Sequence, residues 1–378
     1  MLIHYWCPFL TNIATISSVK RSAISLKRYT NSTKVNIEII NCYGEWSNIK
    51  KINNGNVIIN NPLTGFNLFK FLPKKKFFSK ISLAIIFVLS FFPLLFKLKK
   101  NKPNYLIIHL LTSLPIILSP FIFKNTKIIL RISGLPKLNF FRKFIWKLFS
   151  KNIYLITTPT KITKQDLIKS NIFENSKIQI LRDPVIDVTD INIKKRERIN
   201  DLRFNSNDFY LAIGRLTKQK NFSFLIKEFS KLVKNLKTKK LCILGSGEEE
   251  NELKDLIKRY KMEENIFLLG HQENPYKFIY NCKAVISTSL YEDPGFVLIE
   301  SFFLNKSVIS SNSINGPREM SLEKNIGFFY KTNDPDDFKK KINAFENESN
   351  QNKILNAKKF SKMFSLFKHY KNISSLLK

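Results

Sequence analysis

Residues 209–260 read FYLAIGRLTKQKNFSFLIKEFSKLVKNLKTKKLCILGSGEEENELKDLIKRY. Two short apolar runs, 209–213 and 241–244, each end at a glycine, and helical spacing of apolar residues follows each of them. The second helix opens with glutamates, which suit the positive end of the helix dipole. This repetition of strand, glycine turn and helix predicts a parallel sheet with helices on both faces.

The same alternation continues on both sides of this stretch. Downstream, short apolar runs alternate with helical stretches near 276–280 and 297–304, and the predicted strands are 265–269, 284–287 and 308–310. Upstream, a helix is predicted at 16–29, and the predicted strands are 2–6, 36–40, 105–109, 127–132 and 153–157. We therefore predict an α/β protein of two Rossmann-like, doubly wound domains.

The length of 378 residues fits two domains. Segment 188–207 is polar, highly charged and poor in apolar residues, as expected of a linker between an N-terminal domain, 1–187, and a C-terminal domain, 208–350. A final helical segment, 351–378, is a candidate to cross back onto the first domain. Because parallel sheets bind ligands at the carboxyl ends of their strands, two facing domains would enclose a ligand-binding cleft.

The chain is strongly basic, with 63 Lys and Arg against 29 Asp and Glu and a formal net charge of +34. Nucleic acid, an anionic membrane and phosphorylated substrates are all candidate partners. An AT-rich coding sequence would also produce this excess of lysine together with much Ile, Asn and Phe. No helix, finger or aromatic signature of a nucleic-acid module is present, so we expect no nucleic-acid partner.

One apolar stretch, 81–96, is Phe-rich and flanked by lysines on both sides. It is shorter than the roughly 20 residues needed to span a bilayer. Two interpretations stay open for the segment 77–96: a helix docked on anionic lipid, or an interior helix with lysine-rich ends. The N-terminus lacks the pattern of a signal peptide, and the four scattered cysteines predict reduced thiols, so we expect a cytoplasmic protein.

The segment YEDPGFVLIE, 291–300, places two carboxylates around a glycine turn and a helix start. Gly295 lets an oxygen of a ligand approach the main chain, and free backbone N–H groups at the helix start suit phosphate. Glu292 and Glu300 can accept hydrogen bonds from sugar or ribose hydroxyls. On a second strand-to-helix turn, Arg215 and Lys220 can both face a diphosphate.

Five motifs in order now point to a family: GRLTKQKN at 214–221, the GSG turn, FLLGHQENPY at 267–276, STSLYEDPGFVLIE at 287–300 and NGPRE at 315–319. Together they resemble the C-terminal domain of glycosyltransferase family 4. The resemblance implies a GT-B fold, a nucleotide-diphosphate sugar donor, retention of anomeric configuration and no cofactor. It assigns the donor phosphates to Arg215 and Lys220, the ribose to Glu300, and the transferred sugar to Glu292 as the catalytic residue. The further donor-binding candidates are Gly214, Gly270, His271, Gly295, Phe296 and Val297.

The first domain is similar to a polysaccharide-assembly branch of that family, through CPFLTNIAT at 7–15 and RISGLP at 131–136. This similarity makes Asn12, Ser133 and Gly134 candidates for the acceptor side of the cleft. The glycine-rich loop common after the first strand is absent, and no His or Asp stands near Ser133. No acceptor-side base is therefore predicted.

The one Asp-x-Asp sequence, at 334–336, begins a predicted helix and is interpreted as a cap, so no catalytic metal is expected. The resulting hypothesis is transfer of a hexose or N-acetylhexosamine from a UDP- or GDP-sugar to a lipid-linked saccharide, on the cytoplasmic face of the inner membrane, during surface-polysaccharide synthesis. An inverting GT-B transferase, a nucleotide-sugar epimerase, and a basic protein that binds nucleic acid or membrane without catalysis are the alternatives.

Overall fold

The structure is a computed structural model of the whole chain. It describes all residues except 12–13, 31–34, 48–56, 74–77, 123, 135–137, 202, 205–207, 234–238, 324 and 378. The described chain divides into two compact units: Met1–Pro184 together with Leu366–Lys378, and Val185–Ser365. Each unit is built on its own parallel sheet.

The first unit alternates strands and helices along the chain. Its elements are β1 Leu2–Trp6, α1 Ala14–Tyr29, β2 Asn36–Ile40, β3 Val57–Ile59, α2 Ser79–Asn101, β4 Tyr105–Ile108, α3 Ser113–Ile122, β5 Lys127–Arg131, α4 Phe140–Leu148, β6 Ile153–Thr158, α5 Lys161–Lys169 and β7 Ile178–Ile180. Helix α14, Leu366–Leu376, joins this unit from the end of the chain.

The seven strands are parallel and lie in the order β3-β2-β1-β4-β5-β6-β7. Alternate strand residues face opposite sides, so the sheet has two apolar cores. Residues of α2, α3 and α4 pack with Trp6, Ile108 and Leu130 on one face. Residues of α1 and α14 pack with Tyr5 and Ile107 on the other.

The second unit repeats this architecture. Its elements are α6 Val188–Lys194, β8 Phe209–Ile213, α7 Phe222–Val233, β9 Lys240–Leu244, α8 Glu250–Arg259, β10 Ile266–Leu268, α9 Tyr276–Asn281, β11 Ala284–Ser287, β12 Tyr291–Glu292, α10 Phe296–Phe303, β13 Ser307–Ser311, β14 Ile314–Asn315, α11 Gly316–Ser321, β15 Phe328–Tyr330, α12 Pro335–Asn347 and α13 Gln351–Ser361. The parallel sheet has the order β10-β9-β8-β11-β13-β15, and β12 pairs with β14 separately. Two doubly wound parallel sheets confirm the predicted fold class.

Three segments differ from the sequence-based description. The apolar stretch 81–96 lies within a longer helix, α2, whose 23 residues are, by length and composition alone, long enough and apolar enough to cross a membrane. The segment 188–207 begins with helix α6, which buries Ile191. The segment 351–378 forms two helices, α13 in the second unit and α14 in the first. Between them Ser365 is extended and forms a β-bridge with Ile186, which ends the helical run.

The four cysteines, Cys7, Cys42, Cys242 and Cys282, are free and buried, as the sequence predicted. Burial raises the pKa of the Cys282 thiol to about 12, which keeps it protonated and unreactive at neutral pH.

Candidate functional site

The candidate donor site lies where the strand order of the second sheet reverses, between β8 and β11. Loops that follow adjacent strands at such a reversal diverge and leave a crevice at the carboxyl edge of the sheet. The loop after β8 holds residues 214–221, and the loop after β11 holds residues 288–295. The two motifs singled out in the sequence are therefore neighbours at this edge.

A glycine turn holds the base of the crevice together. Gly245 follows β9 with φ of +143°, and a Cβ at this position would lie only 1.8 Å from the carbonyl oxygen of Gly214. Its backbone N–H donates to the carbonyl of Gly270 at 2.8 Å. Only glycine permits both this conformation and this approach, so the ends of β8, β9 and β10 meet here.

Lys220 and Glu292 form an ion pair across the crevice, although they are 72 positions apart in the sequence. The stem of Lys220 lies over Gly214, where a Cβ would approach its Cε to 2.7 Å. Ser289 donates to the same Glu292 oxygen at 2.8 Å. The pair is mostly buried, so its geometry is held by the loops rather than by chance contact at the surface.

Arg215 belongs to the same loop as Lys220 and is exposed. Within the part of the chain that the structure describes, no carboxylate pairs with its guanidinium. A guanidinium presents several donors in a rigid fork that matches phosphate oxygens. Arg215 is thus available to an anionic ligand at the edge of the sheet.

Helix α10 begins at Phe296 and points its N-terminus into the same loop cluster. Gly295 precedes it in the left-handed region, with φ of +93°, and the Asp293–Pro294 peptide bond is cis. Backbone N–H groups of the first helical turn, including those of Phe296 and Val297, have no partner within the helix. Together with the helix dipole they favour an anionic or polar oxygen ligand.

Glu300 lies one turn further along α10 and is 8% exposed. The hydroxyl of Tyr276, on α9, donates to its Oε1 at 3.1 Å. This hydrogen bond fixes the orientation of a carboxylate that burial would otherwise leave poorly solvated. An ionised carboxylate oxygen can accept more than one hydrogen bond, so the contact with Tyr276 does not exhaust the acceptor capacity of Glu300.

The remaining donor-side candidates lie at the end of β10. Gly270 has φ of +66° with open space where a Cβ would lie, and His271 beside it is exposed. The backbone contact between Gly270 and Gly245 brings this segment to the same edge as the other loops. Its predicted contact with a base stays a prediction.

The candidates in the first unit are fewer. Ser133, which is exposed, and Gly134, with φ of +74°, follow the carboxyl end of β5. Asn12 lies outside the described residues. Their predicted contacts with an acceptor stay predictions.

Asp334 caps helix α12 by accepting from the backbone N–H of Asp337 at 3.0 Å, and Pro335 occupies the first turn, which confirms the interpretation of this Asp-x-Asp as a cap. Among the described residues, no group of three or more His, Cys, Asp or Glu could hold a metal ion. Metal independence remains a prediction.

Sequence reasoning assigned no role to Tyr276 or Ser289, which hold the two glutamates. Tyr276 ends the quoted motif FLLGHQENPY, where the side chain of Asn274 accepts from its backbone N–H at 3.1 Å. The only sequence signal for a role of Tyr276 was therefore its place in that motif. Its direction toward Glu300 depends on the packing of α9 against α10, which no local pattern encodes.

These sheets and loop clusters define the class of the protein: two Rossmann-like units with the GT-B glycosyltransferase fold. The crystal structure of Anabaena HepE in complex with UDP and glucose shares this fold over 100% of this chain and 99% of its own, with a TM-score of 0.70 at 13% identity. Residues 194–362 match the family model of Glycosyl transferases group 1, so the second unit carries the domain of that family. The glycosyltransferase domain recognised from the five motifs is thereby confirmed for this part of the chain, and family 4 in particular stays a prediction.

Two relatives extend the comparison. The chain is 32% identical over 249 residues to an uncharacterized glycosyltransferase of Methanocaldococcus jannaschii, covering 59% of each protein. It is 31% identical over 229 residues to the N-acetylgalactosamine-N,N'-diacetylbacillosaminyl-diphospho-undecaprenol 4-alpha-N-acetylgalactosaminyltransferase of Campylobacter jejuni, covering 58% of each. The matched regions thus span about three fifths of these relatives.

Proposed function

We propose that this protein is a retaining glycosyltransferase that moves a hexose or N-acetylhexosamine from a UDP- or GDP-sugar to a lipid-linked saccharide during surface-polysaccharide synthesis. The observation that carries the proposal is the loop cluster at the carboxyl edge of the second sheet. There the Lys220–Glu292 pair and Glu300 lie on loops and a helix start next to the loop that carries Arg215, whose guanidinium has no carboxylate partner among the described residues. The group 1 family match over residues 194–362 supports it.

The chemistry follows from the charges. Transfer breaks the bond between the anomeric carbon and the diphosphate oxygen and forms a bond from that carbon to the oxygen of an acceptor hydroxyl, whose proton passes to the departing diphosphate. Arg215 and Lys220 stabilise the charge that builds up on the departing diphosphate. In this proposal Glu292, which pairs with Lys220, accepts hydrogen bonds from the transferred sugar, and Glu300 accepts hydrogen bonds from the ribose. The backbone N–H groups of residues 295–297 donate hydrogen bonds to oxygens of the sugar or the diphosphate.

Two observations support the proposed acceptor: the acceptor of a relative and the basic character of this chain. The Campylobacter relative acts on a diphospho-undecaprenol-linked sugar and makes an alpha linkage. A UDP-hexose carries its sugar in α linkage, so an α product agrees with retention. A lipid-linked acceptor would bring the reaction to a membrane surface, and the basic, Phe-rich α2 segment would favour contact with that surface. We propose the cytoplasmic face.

A nucleotide panel tests the donor site directly. UDP, GDP and ADP are added to the purified protein and the shift of its thermal unfolding is measured, while UDP- and GDP-sugars are assayed for slow donor hydrolysis. We expect UDP or GDP to stabilise the protein, because binding to the folded state alone raises its free energy of unfolding. Absence of stabilisation by any nucleotide, with no donor hydrolysis, would reject the donor site.

A series of three variants separates binding from turnover. Arg215→Ala and Glu300→Ala should each weaken nucleotide binding by about tenfold or more, because each removes a charged hydrogen-bonding group worth about 1.5–3 kcal/mol. Glu292→Ala should keep nucleotide affinity within about threefold and lower kcat by about 100-fold. Binding is measured by isothermal calorimetry and turnover by nucleotide release.

The matched control is Arg259→Ala, which removes an exposed arginine at the end of α8 and should change neither quantity. Unchanged binding and turnover in Arg215→Ala, Glu300→Ala and Glu292→Ala would refute the site even if the protein proved to be a transferase. Tight, salt-sensitive binding of DNA or RNA without donor turnover would instead favour a basic nucleic-acid-binding protein.

A further inference from the structure

An exposed apolar stripe runs along helix α2. Six large apolar side chains on this helix are between 39% and 69% exposed: Ile81, Ile85, Val88, Leu89, Phe92 and Phe96. Their spacing of three or four residues puts them on one side of the helix. An apolar patch of this size on a folded protein marks a surface that binds a partner or a membrane.

The other side of α2 is anchored in the first unit. Ser82 donates to the carbonyl of Pro73 at 2.8 Å, and Ser90 pairs with the thiol of Cys42 at 2.8 Å. Lys97 forms an ion pair of 2.6 Å with Glu38 on β2. These contacts hold α2 flat against the sheet along its length, which is the geometry of a helix lying on a surface rather than one inserted alone.

Helix α4 presents a second apolar stripe. Phe140, Phe144 and Leu148 are between 56% and 87% exposed and line an open groove with Lys143 and Lys147. Positions 140, 144 and 148 recur every four residues, so the three side chains share one side of the helix. On the opposite side, Ile145 and Trp146 are buried in the core.

The stripes on α2 and α4 lie on the same face of the sheet. Right-handed crossovers from β3 to β4, β4 to β5 and β5 to β6 put α2, α3 and α4 on one side, and all three pack into one core. Helix α3, between them, exposes Phe121, and the Lys99 ammonium of α2 lies 5.6 Å from the centre of its ring. The exposed sides of the three helices therefore point away from the same sheet.

The distribution of charged residues indicates what binds to the exposed sides of these helices. No Asp or Glu occurs at any of positions 46–165, which include 21 Lys and Arg. The 29 acidic residues all lie outside this segment. A bias of the whole coding sequence would not remove acids from one segment alone, so the depletion is local. Apolar rings with surrounding lysines and no carboxylate suit anionic lipid, where phosphates meet acyl chains.

We propose that the exposed sides of α2 and α4 dock the first unit onto an anionic lipid bilayer. The Phe, Leu, Ile and Val side chains enter the boundary between headgroups and acyl chains, and Lys143, Lys147, Lys99 and Lys100 contact lipid phosphates. This inference rests on the proposed function in one respect: docking would bring the enzyme to a lipid-linked acceptor.

Vesicle sedimentation of the full-length protein tests the proposal. Sucrose-loaded vesicles of phosphatidylcholine alone, or with about 30% phosphatidylglycerol, are mixed with protein at low and high salt. We expect binding to the anionic vesicles that falls as salt rises, and weak binding to the neutral ones. The triple change Phe140→Ser, Phe144→Ser, Leu148→Ser should lower the bound fraction about fivefold or more. Lys143→Gln with Lys147→Gln should lower it and flatten its salt dependence.

A matched triple change, Ile193→Ser, Leu322→Ser, Leu355→Ser, removes apolar side chains that are 57–78% exposed in the second unit and should leave vesicle binding unchanged. Equal binding by wild type and the α4 variants, or an equal loss in this control, would overturn the proposal. So would a wild-type dimer, detected by analytical ultracentrifugation, that the α4 changes dissociate while vesicle binding is absent.

Stabilisation by UDP is measured on every variant in the same series. Because none of the altered residues belongs to the donor loops 214–221 and 288–295, each variant should keep the wild-type response. Vesicle binding without any nucleotide response would retain the docking face and reject the donor site. A nucleotide response without vesicle binding would do the reverse.

Discussion

At the scale of single residues, the candidate site is a set of side chains held by neighbours from other elements. Glu292 is held by Lys220 and Ser289, and Glu300 by Tyr276. Preorganised groups of this kind cost no reorganisation when ligand binds. Sequence reasoning assigned no role to Tyr276 or Ser289, and the contact of Tyr276 can be tested by removing a single hydroxyl.

Tyr276→Phe removes the hydroxyl that orients Glu300 and keeps the ring. We expect the Kd for UDP to rise about tenfold, the equivalent of about 1.4 kcal/mol, because one donor to a buried carboxylate is lost. Calorimetry then compares the loss of affinity for UDP with the loss of affinity for a UDP analogue that lacks ribose hydroxyls. If Tyr276 acts through Glu300, Tyr276→Phe should weaken binding of the analogue less than binding of UDP.

The control is Tyr280→Phe, which removes an exposed hydroxyl from the same helix. An equal loss of affinity for UDP and for the analogue would contradict a positioning role for Tyr276.

At the scale of elements, the packing of α14 against α1 depends on a buried histidine. His369 Nε2 lies 2.8 Å from the Ser22 hydroxyl, and Nδ1 lies 2.7 Å from the carbonyl oxygen of Arg182. Burial lowers the pKa of His369 to about 4, and the nearby Arg131 acts in the same direction. The neutral ring therefore satisfies both contacts at neutral pH.

This depressed pKa predicts acid sensitivity of the first unit. The unfolded chain takes up a proton at His369 near pH 6.5 and the folded chain near pH 4, so stability is lost as pH falls from 6.5 to 4. The loss should approach about 3 kcal/mol, in order of magnitude. Tryptophan fluorescence measures it in urea, because Trp6, Trp46 and Trp146, the only tryptophans, are all in the first unit.

His369→Asn should be less stable at pH 7 and lose less stability between pH 6.5 and 4 than wild type. His271→Asn, at an exposed histidine, should keep the wild-type pH profile. Burial raises the pKa of Glu45 to about 7, which stabilises the folded state as pH falls from 7 to 4.5, and this contribution cancels when variants are compared. Parallel pH profiles for wild type and His369→Asn would contradict the assignment.

At the scale of the whole molecule, the first unit is made from both ends of the chain. Residues 366–378 belong to it, whereas 185–365 form the second unit. On α14, Ile373 and Leu377 are buried in one cluster with Val19 and Leu26 of α1. The stability of the first unit therefore depends on residues that follow the entire second unit.

Removal of residues 366–378 should destabilise the first unit and spare the second. We expect a lower urea midpoint by tryptophan fluorescence and faster hydrogen exchange in α1, because the deletion exposes an apolar surface. Exchange in α10 should stay unchanged. If the shortened chain does not fold, Ile373→Ala tests the same contact, with an expected loss of about 2–5 kcal/mol, and Lys371→Ala, at an exposed position of α14, is its control. Equal exchange in α1 before and after the change would refute the dependence.

Sequence by itself determined the class of fold and the loops that carry the candidate donor site. Apolar runs that end at Gly214 and Gly245, followed by helical spacing, specify strand, turn and helix through interactions between residues close in the chain. The capping role of Asp334 was predictable for the same reason, since its partner is three positions away. The positions of these elements were therefore readable without knowledge of their neighbours.

Tertiary structure alone decided which distant residues meet. The Lys220–Glu292 pair, the Tyr276–Glu300 hydrogen bond and the return of α14 to α1 depend on the order of strands in each sheet. The tertiary structure also gives α2 one side held by Glu38 and Cys42 and another side left exposed, where the sequence left open an interior helix or a helix docked on anionic lipid. Strand order arises from the packing of whole elements into a common core, and periodicity within one element carries no information about its neighbours.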